Sequence, residues 1–234
     1  MKPDIICTQP SHVDFPMWRY YLEKHKDCFN EIFVGFSNAH RKLNLLQFEL
    51  DELTKIGVKV VTDMSYLPQH DWRSSAINKC LAQSRSDRVL FLEQDFIAFS
   101  EDFWKEVTER PEPLVGFKES KERQGRLHPA FMLVNRDLLN KTSLQFSAMP
   151  PQFDHFGKIS EELEAQVAPV YLEDLFPNQW EHLAGLTHNY SLIMDGGVPN
   201  HNVPRFGAYN RDLLKLPVSQ SPQFHGVILN AANY

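Results

Sequence analysis

The sequence predicts one α/β domain in which a mostly parallel central sheet carries helices on both faces. Short apolar runs alternate with segments of helical periodicity over roughly the first 140 residues. The segments between the first four runs are long enough for crossover helices, which parallel pairing requires. The chain has 234 residues, of which 42% are hydrophobic, so it is long enough to bury one substantial core.

Four strands and three helices are predicted before the first acidic motif. The strands are residues 4–8 (DIICT), 31–36 (EIFVGF), 58–62 (VKVVT) and 88–93 (RVLFLE), and the helices are residues 16–26, 43–56 and 71–84. Gly57 ends the second helix, because glycine readily adopts the left-handed conformation found just after a helix. Two later strands are predicted at residues 114–117 and 131–134. Sheets of this kind bind ligands beyond the carboxyl ends of their parallel strands.

Charge and composition exclude several classes of protein. The net charge of −6 gives no general attraction to nucleic acid or to an anionic membrane. The first ten residues, MKPDIICTQP, are neither a membrane span nor a secretory signal, because Asp4 and Pro10 interrupt the short apolar stretch. Three scattered cysteines without the spacing of a zinc site or a disulfide framework fit a reducing compartment. We therefore expect a cytoplasmic protein without a membrane span.

The stretch RVLFLEQDF, residues 88–96, ends a buried strand in two carboxylates, Glu93 and Asp95. Residues two apart on an extended segment point the same way, so both carboxylates can converge on one ligand at the carboxyl edge of the sheet. An acidic turn that merely ends the strand is the structural alternative.

The helix before this strand adds a more specific pattern. Residues 71–96, DWRSSAINKCLAQSRSDRVLFLEQDF, carry Arg73, Ala76 and Asn78 on the helix and end in the Glu93 and Asp95 pair. This arrangement resembles the central signature of GT-A glycosyltransferases, especially the large inverting family two, in which an acidic D-x-D-like motif follows such a helix and strand. The resemblance implies a single GT-A (Rossmann-like) domain over residues 1–234. It assigns nucleotide-sugar binding to residues 1–139, and acceptor binding and completion of the metal site to residues 140–234.

In that family the acidic motif holds a divalent cation on the diphosphate of a nucleotide sugar, so the resemblance implies Mn²⁺ or Mg²⁺ as cofactor. Asp95 is the first expected ligand. Glu93 is expected to bind the metal through water or to hydrogen-bond the donor ribose or sugar. The remaining expected donor-binding residues are Thr8, Pro10, Asp63, Arg73 and Asn78. An ion pair of Arg73 and a backbone contact of Asn78 are the structural alternatives.

The sequence departs from the family pattern in ways that leave the donor open. The second strand is followed by SNAH instead of an acidic turn, which makes Asp63 the substitute candidate, and Lys79 stands where the family often has glycine. A uridine diphosphate sugar is the commonest donor of the family, and the acceptor is not identified. No Q-x-x-R-W signature of processive synthases is present, so transfer of a single sugar is expected.

Three carboxylates are candidates for the general base of an inverting reaction: Asp154, Glu161 and Glu162. They lie in FDHFGKISEELEAQV, residues 153–167, where Ser160 is predicted to cap a helix that has both glutamates in its first turn. That capping pattern is also a sufficient structural explanation for the two glutamates.

Histidines follow in WEHLAGLTHNY, residues 180–190, and beyond. GT-A enzymes often complete the metal site with a histidine near the carboxyl terminus, and the H-L-A-G-L context of His182 resembles that position. His182 is therefore preferred to His188 and His201 as the additional ligand. The segment 194–211, rich in Gly, Pro and Asn, is expected to be an irregular loop that closes over donor or acceptor.

Other classes of function remain as alternatives. A non-catalytic GT-A-like binding module needs the acidic pair only for structure. A transferase that modifies nucleic acid is suggested by KESKERQGRLH, residues 118–128, although a solvated basic loop is the preferred explanation of that segment. A nucleotidyltransferase is disfavoured because TQPSH after the first strand contains no glycine, and a dinucleotide oxidoreductase because no G-x-G-x-x-G follows a strand.

Overall fold

The computed structural model of the protein describes residues 2–8, 15–37, 43–63, 69–98, 101–118, 126–147 and 156–182. The strands in these ranges are β1 (Asp4–Thr8), β2 (Ile32–Ser37), β3 (Lys59–Asp63), β4 (Arg88–Leu92), β5 (Phe96–Ala98), β6 (Leu114–Lys118), β7 (Leu127–Asn135), β8 (Val170–Tyr171) and β9 (Trp180–His182). The α-helices there are α1 (Phe15–His25), α2 (Leu43–Lys55), α3 (Gln69–Gln83), α4 (Glu101–Thr108), α5 (Arg136–Leu139), α6 (Gly157–Glu164) and α7 (Leu172–Leu175). The predicted elements of the first 93 residues are all present, with boundaries within two residues of those observed.

Seven of the described strands form one sheet in the order β3-β2-β1-β4-β7-β6-β8. Strands β3, β2, β1 and β4 are parallel, β7 is antiparallel to both β4 and β6, and β8 is parallel to β6. The predicted α/β fold with a mostly parallel sheet is confirmed. The strand order switches between β1 and β4, because the chain moves outward from β1 to β3 and then returns to the other side of β1. In open α/β sheets the crevice beyond the strand ends at such a switch point binds ligands.

The hydrophobic core lies in two layers, one on each face of the sheet. Successive residues of β4 point to opposite faces, so Leu90 and Leu92 pack with α1, α2, α4 and α7. Val89 and Phe91 pack on the other face, with α3 and α6. Helices therefore cover both faces of the sheet, and polar side chains are accommodated where the strands end.

The chain turns directly after β4 and enters a separate two-stranded sheet. In this turn the backbone N–H of Phe96 donates a hydrogen bond to the carbonyl oxygen of Glu93 at 3.4 Å. Strand β5 then pairs antiparallel with β9, in a register that sets Phe96 opposite His182 and Ala98 opposite Trp180. Strand β9 therefore brings a distant part of the chain back to the end of β4.

Two glycines are required by the backbone near this sheet. Gly57 has φ +85° and follows α2 as predicted, because the left-handed region is strained for residues with a side chain. Gly35 of β2 lies against α3, and a Cβ at Gly35 would be only 2.6 Å from the Cβ of Ala76. The close approach of α3 to β2 therefore depends on the absence of a side chain at residue 35.

One prediction about the second half of the chain is wrong, and one predicted strand is present but longer than expected. Ser160 does not cap α6: the helix begins at Gly157 after Phe156, and Ser160 is buried within it. The helix starts earlier because Ile159 and Leu163 are both buried, which requires Ile159 to be helical already. The strand predicted at residues 131–134 is also longer than expected, since β7 begins at Leu127.

All three cysteines of the chain lie within the described ranges. Cys7 and Cys80 are buried, Cys28 is half-buried, and all three are free thiols. Burial raises the pKa of Cys80 to about 12, so this thiol is protonated at neutral pH. None of the helices placed by the structure has both the length and the apolar character that a membrane crossing requires.

Candidate metal centre

The acidic pair lies where β4 leaves the sheet. Glu93 directly follows the last residue of β4, and its backbone N–H donates a hydrogen bond to the carbonyl oxygen of Ala130 in β7 at 3.0 Å. Asp95 follows in the turn before β5 and is 8% exposed. Strand pairing before Glu93 and after Asp95 therefore holds the backbone that carries the two carboxylates. This backbone lies at the carboxyl edge predicted from the sequence.

Strand β9 places His182 beside Asp95. The register that pairs Phe96 with His182 leaves Nε2 of His182 at 3.4 Å from Oδ1 of Asp95. That oxygen is buried and accepts no hydrogen bond from the described residues. A buried carboxylate oxygen without a hydrogen bond is unfavourable unless a positive charge lies next to it, and either an imidazolium or a bound cation supplies that charge.

A second histidine, His128, lies at the beginning of β7 and approaches the same site. One ligand atom each from Glu93, His128 and His182 lies within 4.8 Å of the others, and all three side chains are half-buried. The imidazole rings of His128 and His182 have centroids 4.4 Å apart. We call Glu93, Asp95, His128 and His182 the edge site.

Aromatic side chains form one wall of the edge site. Phe117 stacks on His128 with centroids 4.7 Å apart and planes at 14°, and it also contacts His182 at 5.4 Å. Phe117 packs in turn against Trp180 at 4.9 Å, and Trp180 stacks on Phe96 at 5.5 Å. This wall excludes water from one side of the polar groups, which strengthens electrostatic interactions at the edge site.

The donor atoms of the edge site fit a divalent cation. Two ligands of one octahedral ion, each about 2.1 Å from it and at right angles, lie about 3 Å apart, and the observed Asp95 to His182 separation of 3.4 Å is close to that value. Carboxylates with an imidazole and no thiolate suit Mn²⁺ or Mg²⁺ better than a structural zinc site. Asp95 and His182 would hold the ion, and Glu93 lies near enough to assist.

Backbone positions are described for several of the predicted donor-binding residues. Thr8 ends β1, and the β1 to β4 register, continued by two residues, sets it level with Glu93. Asp63 ends β3 opposite Ser37, and Arg73 lies in α3. The side chains of Asp63 and Arg73 are outside the described part of the structure. Asn78 is also in α3 and is exposed. Pro10 falls outside the described residues, as do His188 and His201, the two alternative histidines.

The predicted base candidates lie on or before α6, which packs on the sheet face opposite to Phe96. Glu161 is exposed, with Oε2 at 3.3 Å from Nζ of Lys158. Glu162 accepts a hydrogen bond from the backbone N–H of Ser143 at 2.6 Å and lies 3.6 Å from the same Lys158. Burial raises the pKa of the Glu162 carboxyl, but Ser143 and Lys158 outweigh this effect and the pKa is lowered. Asp154 falls outside the described residues.

The described contacts join neither Glu161 nor Glu162 to Asp95 or His182. The assignment of the base therefore stays a prediction. His128 and Phe117, in contrast, are site residues that the sequence reasoning did not identify. No local sequence pattern marks His128, which reaches the site because β7 is antiparallel to β4 and therefore begins at the carboxyl edge of the parallel strands.

No protein-family model and no curated protein matches this sequence. Solved structures do match the fold. The mannosyltransferase PcManGT from Pyrobaculum calidifontis, in complex with GDP-Man and Mn²⁺, aligns with TM-score 0.53 and 10% identity over 99% of this chain and 69% of that chain. TarS from S. aureus aligns with TM-score 0.51 and 14% identity over 99% of this chain and 49% of that chain.

These likenesses and the strand order define the fold of this chain. It is the GT-A fold, as the resemblance of residues 71–96 implied. At 10% and 14% identity the likeness concerns architecture, so a function has to be argued from the edge site itself.

Proposed function

We propose that this protein is a metal-dependent glycosyltransferase that moves a single sugar from a nucleotide-diphosphate donor to an acceptor hydroxyl. The observation that carries the proposal is the convergence of Asp95 and His182, which come from distant parts of the chain, at the carboxyl edge of a GT-A sheet. The Mn²⁺ and GDP-Man bound to the P. calidifontis mannosyltransferase support this reading of the fold.

The residues of the edge site have distinct roles in this proposal. Asp95 and His182 hold Mn²⁺ or Mg²⁺, and Glu93 either assists them or hydrogen-bonds the ribose or sugar of the donor. When bound, the cation neutralises negative charge that develops on the departing diphosphate. Thr8, Asp63, Arg73, Asn78 and Pro10 remain the proposed contacts to the rest of the donor, for which a uridine diphosphate sugar is the first choice.

The acceptor side of the reaction is assigned to residues 140–234. A carboxylate among Asp154, Glu161 and Glu162 removes the proton of the acceptor hydroxyl as that oxygen attacks the anomeric carbon from the face opposite the diphosphate. This direction of attack inverts the configuration at the anomeric carbon. The transfer is nonprocessive, and we propose that it takes place in the cytoplasm.

A donor screen tests the proposal. The protein is incubated with UDP, GDP, ADP, CDP and dTDP sugars, with Mn²⁺, with Mg²⁺ or with EDTA, and released nucleoside diphosphate is measured. We expect release from one class of donor that requires the cation and is lost in Asp95→Asn. Cation-dependent donor binding without release or transfer would instead identify the non-catalytic binding module, and absence of any donor binding would contradict the proposal.

A further inference from the structure

Ala130 of β7 fixes two residues of the edge site at once. Its carbonyl oxygen accepts the hydrogen bond from the backbone N–H of Glu93 at 3.0 Å, and its own N–H donates to Nδ1 of His128 at 3.1 Å. The second bond determines how the imidazole of His128 is oriented. With the ring turned over, a carbon atom would face the Ala130 N–H and this hydrogen bond would be lost.

The bond from Ala130 also determines the tautomer of His128. A nitrogen that accepts a hydrogen bond carries no proton, so the proton of the neutral ring lies on Nε2. One nitrogen of His128 therefore has its lone pair occupied by Ala130, and the other carries hydrogen. In this arrangement His128 has no lone pair to give to a metal, although it lies within the cluster of potential ligands.

From this arrangement we infer that His128 is a hydrogen-bond donor to the diphosphate of the nucleotide sugar, and not a ligand of the cation. The inference rests on the proposed function, because it names the part of the donor that His128 contacts. Nε2–H is separated from Nδ1 by a single ring carbon, and a ring nitrogen of His128 lies within 4.8 Å of ligand atoms of Glu93 and His182. The imidazole of His128 therefore borders the part of the edge site in which, under the proposed function, the anionic part of the donor lies.

The charges of the edge site explain why an N–H donor is needed there. Glu93 and Asp95 offer oxygen acceptors only, and a diphosphate also offers acceptors only. Carboxylates and phosphates repel each other unless cations or hydrogen-bond donors lie between them. Phe117, stacked on the imidazole of His128 at 4.7 Å, holds the ring in place, so little side-chain entropy is lost when a ligand binds.

Two substitutions of His128 separate the bond to Ala130 from the bond to the ligand. In His128→Asn the side-chain oxygen can still accept the Ala130 N–H, which is the i to i+2 geometry of an Asx turn, but no N–H reaches the position of Nε2. In His128→Gln the longer amide restores an N–H group near that position. Thermal unfolding of both variants checks that the fold is retained.

Calorimetry with the nucleoside diphosphates UDP, GDP, ADP, CDP and dTDP in the presence of Mn²⁺ tests the inference, together with titration of Mn²⁺ alone. We expect His128→Asn to weaken binding of the preferred diphosphate by about tenfold, the effect of one hydrogen bond to a charged group, and His128→Gln to restore most of it. Mn²⁺ affinity without nucleotide stays within about twofold of the wild-type value, whereas His182→Ala loses it.

Three outcomes would overturn the inference, and they differ from one another. Loss of Mn²⁺ affinity in His128→Asn to the extent seen in His182→Ala would make His128 a metal ligand. Unchanged diphosphate affinity in His128→Asn, with normal binding by the wild type, would limit His128 to packing. A wild-type protein that binds none of the five diphosphates would contradict the proposed function as well.

Discussion

Asp4 is a buried carboxylate at the amino-terminal edge of the sheet, at the other end of β1 from the edge site. Its Oδ1 accepts a hydrogen bond from Asn30 at 2.8 Å, and its Oδ2 accepts from Ser84, from the Arg85 N–H and from the Ser86 N–H at 2.6, 3.0 and 3.1 Å. Burial raises the pKa of Asp4, but these four hydrogen bonds outweigh burial and the pKa is lowered. Asp4 therefore joins β1 to the connection between α3 and β4.

We predict that Asp4→Asn lowers the free energy of unfolding by roughly 2–4 kcal/mol at neutral pH, because a buried charged acceptor is lost. Since the folded-state pKa lies below the unfolded value of about 3.9, the stabilisation is complete above that value and is lost as the pH falls through the folded-state pKa. Urea unfolding between about pH 7 and pH 3 measures it. A wild-type advantage that does not shrink in acid would contradict this account.

The candidate bases give a second prediction for individual residues. If Glu161 removes the acceptor proton, Glu161→Gln lowers turnover by about 100-fold or more and leaves donor affinity within about twofold, because the base acts only on the acceptor. Glu162→Gln is the matched comparison. Glu162 accepts a hydrogen bond from the Ser143 backbone, so loss of this carboxylate is expected to affect stability. Asp154→Asn completes the set. Near-normal turnover in all three variants would refute the assignment.

Among the elements, α3 and β2 show how a single glycine controls packing. A Cβ at Gly35 would be 2.6 Å from the Cβ of Ala76, which real structures do not tolerate. We predict that Gly35→Ala costs about 1–3 kcal/mol of stability through overpacking. Adding Ala76→Gly removes the clash and recovers part of that loss, although glycine within a helix costs about 1 kcal/mol. Denaturant unfolding of the two single variants and the double variant measures the coupling energy between residues 35 and 76. Strictly additive changes in the free energy of unfolding would contradict direct contact between these residues.

Sequence patterns identify the elements best where local periodicity and burial agree. The first four strands and three helices have that agreement, and Glu93 and Asp95 were predictable because a buried strand ended in acids. The beginning of β7 was missed because Leu127, His128 and Pro129 do not continue the apolar run of residues 131–134. The start of α6 was missed because the capping pattern at Ser160 competed with the burial of Ile159 and Leu163.

The edge site needs the whole molecule, which local patterns do not encode. His182 reaches Asp95 only because β9 pairs with β5, and His128 reaches Glu93 only because β7 is antiparallel to β4. The family resemblance identified His182 as a candidate ligand. The strand pairing that brings His182 to Asp95 joins parts of the chain that are more than 80 residues apart. Long-range pairing of this kind is determined by global packing and not by the residues next to the site.

This long-range pairing predicts that a cation stabilises the folded chain. Because Asp95 and His182 come together only in the native state, a cation bound by both raises the unfolding temperature by mass action. At a Mn²⁺ concentration about 100 times the dissociation constant, the expected gain is about 2.7 kcal/mol. Thermal unfolding with Mn²⁺ and with EDTA measures the gain, which His182→Ala should abolish. Equal stability of the wild type under both conditions would contradict the prediction.

Direct titration of Mn²⁺, with free ion measured by electron paramagnetic resonance, tests the central claim that Asp95 and His182 hold a divalent cation. We expect one site in the wild type and affinity at least about tenfold weaker in Asp95→Asn and in His182→Ala. Asp137→Asn, an exposed aspartate of α5 at the amino-terminal edge, is the matched control and should bind like the wild type. Equal Mn²⁺ affinity in all four proteins would show that Asp95 and His182 do not hold the cation and would leave the acids after β4 with a structural role only.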